Sequence, residues 1–498
     1  MNRFSVVSLR VFGSCALALY ALCANADLRY TVKHTAQCNQ IEVSVVFEMK
    51  ANRETLQMPR WMPGYYVLED YGTRVKDFAL TSLVDGTVKV TTVDNHTWRL
   101  DGAKGCVVKA TYKMPVEFDG RVGHYSGAQT YVYLVGRKGE KCLLHLDLPS
   151  GTKVATGLNG VGNDYVASDY DVLADNSVTF GDFKSASYWA AGKKHDVVVR
   201  GTGESEIDLG ALVSECKMIS DIETDYFGGA PYSKYVWQID SHVGEGPSYG
   251  IEHLSSAEIC MSTQVNAGMS GLLAHEYLHL WNVKRIRSKG LGPFNYTQLP
   301  KTGALWWLEG VTDYLTQSLL RRYGRTTDIE FFNDIEGNLR GLEMSSGYLK
   351  VSPYDSSLRL DETEGGRGNS NGFGMSYYEC GFLIGLCLDI ELMSSTDGRR
   401  SLDDVERALW KLCRDGRPGF EEGEIRKQLI LVGGSKFGHL YDRWVMKPGK
   451  LPVASALALV GLKLAGGSDK SFRIYAADTV TPHQIALRNI WLAKRRPK

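Results

Sequence analysis

The chain has 498 residues, 43% apolar, 23% charged and 10% aromatic, which is enough to bury large cores and excludes intrinsic disorder. Such a length accommodates roughly two to four domains. Lys+Arg and Asp+Glu both number 57, a balance that argues against a general binder of nucleic acid or anionic membrane. The one basic cluster, Lys494, Arg495, Arg496 and Lys498, reads as a frayed terminus.

Residues 1–10 carry Arg3 and Arg10, residues 11–23 are apolar, and Ala24-Asn25-Ala26 offers small residues for cleavage. This is the layout of a secretory signal peptide over 1–26. The apolar run falls short of the about 20 residues a membrane span needs. A product beginning at Asp27 has 55 basic against 57 acidic residues. It is expected to be soluble and exported, periplasmic or extracellular, with no stable membrane insertion. Eight cysteines then remain: Cys38, Cys106, Cys142, Cys216, Cys260, Cys380, Cys387 and Cys413. An oxidising compartment permits disulfides, but no C-x-x-C pair suggests a metal knuckle. Cys380 and Cys387 lie about 10 Å apart on a helix, too far to bridge.

From residue 27 to 200 the hydrophobic period is two. Ile41, Val43, Val45 and Phe47 alternate with polar residues; Asp85-Gly86 signals a hairpin turn before VKVTTV, and CVVKATYKM and TYVYLV follow. This part predicts an antiparallel β domain. After residue 205 the period changes. Leu209, Leu212, Val213, Cys216 and Ile219 have helical spacing, YVWQI at 235–239 reads as a strand, and helices are expected at 266–283, 304–323, 327–340, 376–393, 402–413 and 453–461. The fold class is therefore α+β and multidomain, with a mostly helical domain over 205–450 and a short tail over 451–498. The glycine-rich stretch 362–374 predicts a mobile loop.

The chemistry concentrates in LLAHEYLHLWNV. On a helix, His275 and His279 share one face, so both imidazoles can meet one ion, and Glu276 projects near the same edge. Zinc suits neutral nitrogen ligands in tetrahedral geometry. The alternative is the polar face of an ordinary helix. A catalytic zinc needs a third protein ligand. Glu309 stands among Trp306, Trp307 and Leu308, where a carboxylate is costly unless something positive holds it. Asp313, one turn later, can orient a histidine or be a solvated helix acid.

HEYLHLWNVKRIR, LWWLEGVTDY, SYYECGFLIGLCLDI and the segment Pro59-Arg60-Trp61-Met62-Pro63-Gly64-Tyr65-Tyr66 together resemble the glycyl-aminopeptidase family of zinc metallopeptidases, relatives of the aminopeptidase N group. The resemblance spans about residues 30–460. It implies an N-terminal β domain beside a thermolysin-like catalytic domain, and one zinc ion per chain held by His275, His279 and Glu309, with Glu276 as base. It implies that Tyr378, or its neighbour Tyr377, donates to the oxyanion. It also implies that the strand Tyr249-Gly250-Ile251-Glu252 pairs with a peptide substrate while Glu252 receives its α-ammonium. The resemblance also implies small first residues, Gly or Ala; the family usually has glycine where Tyr249 stands, and that departure is expected to narrow the first subsite further. Only 38 residues follow Val460, too few for the PDZ domain that many members carry.

Three other readings compete. Endopeptidase action fits the same site, and a peptidase fold can persist as an inactive binding protein. A serine hydrolase is suggested by Gly246-Pro247-Ser248-Tyr249-Gly250, although the strand–turn–helix context of a nucleophile elbow is missing. The oligomeric state leaves no trace in the sequence.

Overall fold

The computed structural model describes residues 27–493 except 35–37, 85, 245, 247, 263–266, 361–373, 416–418 and 467–470. The expected signal peptide, all of the expected glycine-rich loop but Gly374, and the basic cluster at 494–498 therefore lie outside the described residues. The chain divides into two compact units, Met1–Pro63 with Glu69–Phe183, and Gly64–Leu68 with Lys184–Lys498.

The first unit is built from three sheets. In the seven-stranded sheet the spatial order is Asn159–Val161, Asp164–Ala167, Cys142–Asp147, Leu28–Lys33, Gln40–Glu48, Val107–Pro115 and Lys76–Ser82. All its pairings are antiparallel except that of Leu28–Lys33 with Cys142–Asp147. The alternation at Ile41, Val43, Val45 and Phe47 puts all four in the core. Tyrosines knit that core through their hydroxyls: Tyr30 donates to Val132 O at 3.0 Å, Tyr112 to Thr130 O at 2.9 Å, and Tyr170 to Tyr131 O at 2.6 Å.

Three expectations shift here. Asp85 lies outside the described residues, but the strands flanking Asp85-Gly86, Lys76–Ser82 and Lys89–Asp94, belong to different sheets and do not pair as the expected hairpin. The hairpin is instead Lys89–Asp94 with Thr97–Asp101. Of TYVYLV, only Tyr133–Leu134 is strand. The unit boundary falls at Phe183 rather than near 200, since Lys184–Ala190 and Lys193–Arg200 join the sheet of the second unit. Period-two patterning identifies strands, not the sheet they enter.

The second unit opens with a five-stranded sheet in the order Lys184–Ala190, Lys193–Arg200, Lys234–His242, Ser256–Ser262 and Tyr249–Glu252, which leaves Tyr249–Glu252 at an edge. Helix Leu209–Phe227 is capped by Asp208 and ended by Gly228 in the left-handed region (φ 76°). It packs on Lys184–Ala190 and on helix Ala267–Leu278. The segment expected as one helix at 304–323 is a π-helical turn, Trp306–Val311, running into the α-helix Thr312–Arg322. Helix Tyr377–Ser395 is buried on nearly every side and packs on that π turn, on Thr312–Arg322 and on Asp328–Met344.

The expected tail is folded. It forms helix Val453–Leu459, the hairpin Leu462–Gly466/Phe472–Ala476 and helix Pro482–Trp491. Trp491 Nε1 donates to Tyr314 Oη at 3.0 Å, and Ile474 N donates to Glu336 Oε1 at 2.7 Å, tying these elements to the helical core. Among the described residues, none of the eight cysteines expected in the mature product forms a disulfide.

Candidate metal centre and its surroundings

Helix Ala267–Leu278 carries His275 and Glu276, and His279 follows in the turn that ends it. A buried polar network behind the helix fixes its position. Tyr277 and Tyr232 hydrogen-bond through their hydroxyls, and His195 Nε2 lies 2.7 Å from Tyr232 Oη and 3.1 Å from Tyr277 Oη. Burial pushes His195 down to about 4, so the network is neutral at physiological pH.

The two imidazoles meet nearly edge to face, at 86°, with Nε2 atoms 2.8 Å apart. Glu309 Oε2 lies 3.2 Å from His279 Nε2 and 3.7 Å from His275 Nε2. Two ligands about 2.0–2.1 Å from a tetrahedral zinc ion are about 3.3 Å apart, so these three separations bracket the expected value. The other ring nitrogens are engaged. His279 Nδ1 donates to Asn282 O at 2.6 Å, and His275 Nδ1 lies 2.7 Å from Asp313 Oδ1, close but off the line of a straight hydrogen bond. With Nδ1 carrying the proton on each ring, two Nε2 lone pairs face one point beside a carboxylate. That arrangement is repulsive unless a cation sits there.

The electrostatics agree. Burial disfavours charge on both imidazoles, yet Asp313 drives His275 well above its usual range and Glu309 raises His279. Burial also raises Glu309, but the imidazoles more than offset this and hold its carboxyl down at about 2. The cluster is built to attract positive charge. Glu276 is different: burial pushes it up to about 7, and its Oε2 has no hydrogen-bond partner among the described residues. It is placed and tuned to exchange a proton.

The edge strand runs directly over this carboxylate. A Cβ at Gly250 would overlap the carboxyl group of Glu276, so only glycine lets the backbone approach. Two residues on, Glu252 is 4% exposed, and its carboxylate comes within 4.8 Å of Glu276 and His279 ligand atoms. Lys284 Nζ stands 3.6 Å from Glu252 Oε1, a buried ion pair absent from the sequence expectations. Tyr249 is 40% exposed at the start of the strand. Ser248 precedes a strand rather than a helix, which removes the nucleophile-elbow reading.

Tyr378 is the second residue of helix Tyr377–Ser395. Ser376 caps the helix by accepting from Tyr378 N at 3.1 Å. The Tyr378 ring lies 6.3 Å from the His275 ring and stacks on Tyr377 at 4.9 Å. Tyr377 is fully buried, whereas Tyr378 is partly open. Gly310 and Gly381 make this juxtaposition possible: a Cβ at Gly310 would stand 2.5 Å from Tyr377 O and 2.6 Å from Tyr378 O. The π turn that carries Glu309 thus lies backbone against backbone with the tyrosine helix. Such turns recur at functional sites.

The structure therefore brings His275, Glu276, His279, Glu309, Asp313, Gly250, Glu252, Tyr377 and Tyr378 to one place. Sequence reasoning missed Lys284 and Asn282, although both lie within the quoted HEYLHLWNVKRIR.

No described helix is long and apolar enough to cross a membrane. No curated protein matches the chain. Among solved structures, an aminopeptidase N family protein from Idiomarina loihiensis superposes with a TM-score of 0.80 at 23% identity, over 88% of this chain and 79% of that one. An M1 zinc metallopeptidase from Deinococcus radiodurans gives 0.53 at 10% identity over 86% and 94%. Leukotriene A4 hydrolase from Saccharomyces cerevisiae gives 0.54 at 12% identity over 88% and 70%. These likenesses establish the two-part fold, a β domain followed by a helical one. The profile of the M61 peptidase N-terminal domain matches residues 29–182, and that of the M61 glycyl aminopeptidase matches 268–384, together more than half of the chain. The chain belongs to the M61 glycyl aminopeptidase family and is a peptidase.

Proposed function

We propose that this protein is an exported zinc aminopeptidase that removes small N-terminal residues, Gly or Ala, from peptides, with residues 1–26 as its signal peptide. The observation that carries the reading is the convergence of His275 Nε2, His279 Nε2 and Glu309 Oε2 while the remaining imidazole nitrogens face Asp313 and Asn282 O. Those three residues would hold one zinc ion per chain. When bound, zinc supplies Lewis-acid chemistry, making water acidic near neutral pH and polarising a scissile carbonyl.

Glu276 takes a proton from water and passes it to the departing amine, a role suited to a carboxyl poised near 7. An extended peptide pairs with the edge strand through Gly250, whose missing side chain leaves Glu276 clear. Tyr378 donates to the carbonyl oxygen as charge develops on it. Asp313 and Asn282 O orient the two imidazoles. Glu252 receives the substrate's α-ammonium, and Tyr249 narrows the entrance to the first subsite.

One observation favours endopeptidase action instead: Lys284 already offers Glu252 a cation. The test is hydrolysis of Ala-p-nitroanilide against its N-acetylated form. An aminopeptidase cleaves the free amine selectively, loses activity to 1,10-phenanthroline and recovers it with zinc. Equal cleavage of both forms would discard the amine-anchoring role of Glu252.

A further inference from the structure

The segment Pro59–Tyr66 crosses from one compact unit to the other. Its first part belongs to the β unit, but Gly64–Leu68 clusters with the peptidase unit. Gly64 has φ 89°, in the left-handed region, and its α-carbon faces the edge strand: a Cβ there would stand 2.6 Å from Glu252 Oε2 and 2.9 Å from Ile251 Cγ2. Two residues later, Tyr66 is 4% exposed, and Glu309, Glu252 and Tyr377 are the charged and phenolic groups that act on its phenol. Tyr378 senses Tyr66 in turn. Its neighbour Tyr65 is 40% exposed, so of the two tyrosines only Tyr66 is turned inward.

An aminopeptidase holds its substrate at two points flanking a single carbon. The α-amine goes to Glu252 and the scissile carbonyl would lie beside Glu309, one of the three residues that would hold zinc, so the α-carbon of the first residue lies between those carboxylates. We propose that Tyr66, two residues beyond the point where Gly64 packs against Glu252, is the specificity-determining residue of the first subsite, its ring forming the wall that admits glycine and alanine and excludes larger side chains. This rests on the aminopeptidase reading. It assigns the size limit to a segment contributed from within the β half of the sequence, in addition to Tyr249.

The test compares kcat/KM for Gly-, Ala- and Leu-p-nitroanilide in the wild type, Tyr66→Ala and Tyr66→Phe. Tyr66→Ala should raise the Leu-to-Gly ratio by about tenfold or more, because each methylene admitted to or excluded from a pocket changes discrimination by about 10-fold or more. Tyr66→Phe, which keeps the ring, should hold the wild-type ratio. An unchanged ratio in Tyr66→Ala, or a wild type that cleaves Leu as readily as Gly, overturns the proposal. A second measurement covers a poorly folded alanine variant: calorimetric binding of Gly-Phe and Leu-Phe to the zinc-loaded Glu276→Gln protein, with and without Tyr66→Val. Tyr66→Val should strengthen Leu-Phe binding relative to Gly-Phe, and the same relative affinity in both backgrounds also overturns it. Failure of the aminopeptidase reading is recognised separately, by equal cleavage of N-acetylated and free substrates in the wild type.

Discussion

Replacing Gly310 with alanine places a methyl group 2.5 Å from Tyr377 O and 2.6 Å from both Tyr378 O and the α-carbon of Gly381. All three are backbone atoms, so no rotamer change relieves the overlap. Ordinary contact begins near about 3.5 Å, and the π turn and the tyrosine helix must therefore separate by about 1 Å. Overpacking of this kind costs about 1–3 kcal/mol of stability. The functional cost is larger, because the same displacement separates Glu309 from Tyr378, and a shift of about 1 Å in a catalytic group costs about 10²-fold in rate. Gly310→Ala should thus lose about two orders of magnitude in kcat/KM on Ala-p-nitroanilide and release zinc more readily on dialysis. Gly337→Ala is the control: it lies within helix Asp328–Met344 with nothing within 4 Å of the added Cβ, and should be neutral or stabilising by about 0.5–1 kcal/mol. A Gly310→Ala enzyme with wild-type turnover and an unchanged urea midpoint would refute the claim that close backbone approach sets the geometry of the site.

Tyr378→Phe should lower kcat by about 10²–10³-fold with little change in KM, measured by steady-state kinetics, whereas Tyr377→Phe should leave turnover nearly intact. Gly250→Ala should displace the Glu276 carboxyl and reduce activity by about 10²-fold, with zinc content by elemental analysis unaltered. Removal of zinc should lower thermal stability, and zinc at about 1,000 times its Kd should restore about 4 kcal/mol, read by calorimetry. Glu406 provides a pH signature. Burial pushes its carboxyl up to about 8, so the folded protein holds a proton there that the unfolded chain releases above about pH 4.3. Its contribution is complete below that value and is lost as pH rises through 8, at up to about 1.4 kcal/mol per pH unit. Urea midpoints at about pH 5.5 and 7.5 should show this slope in the wild type and its reduction in Glu406→Gln, which can still accept from Trp307 Nε1.

Much of the architecture was readable because it depends on local periodicity. Alternation at Ile41–Phe47 and the helical spacing that begins at Leu209 each report which face of an element is buried; all four strand positions and Leu212, Cys216 and Ile219 are buried, while Leu209 and Val213 are only partly so. What periodicity cannot report is the partner. Lys184–Ala190 reads as one more strand of the β half, yet pairing with Lys193–Arg200 and then Lys234–His242 places it in the other unit. Residues 451–498 looked like a tail because their helices and hairpin are short. Their stability comes from Trp491 on Tyr314 and Glu336 on Ile474, contacts formed across more than a hundred residues of chain.

The site divides along the same line. His275, Glu276 and His279 obey a spacing rule internal to one helix, and Glu309 is conspicuous as a carboxylate among tryptophans whose burial demands a positive partner. Their supports obey no local rule. Gly310 and Gly381 look like two ordinary helix-weakening residues until the backbones they allow together are known, and Gly250 and Gly64 are equally mute. Each of these four glycines removes a side chain where two elements must touch near the chemistry. In sequence that function appears only as an absence of atoms. The ligands are selected for what they carry and the glycines for what they lack, so a motif search finds the first group and only the assembled fold explains the second.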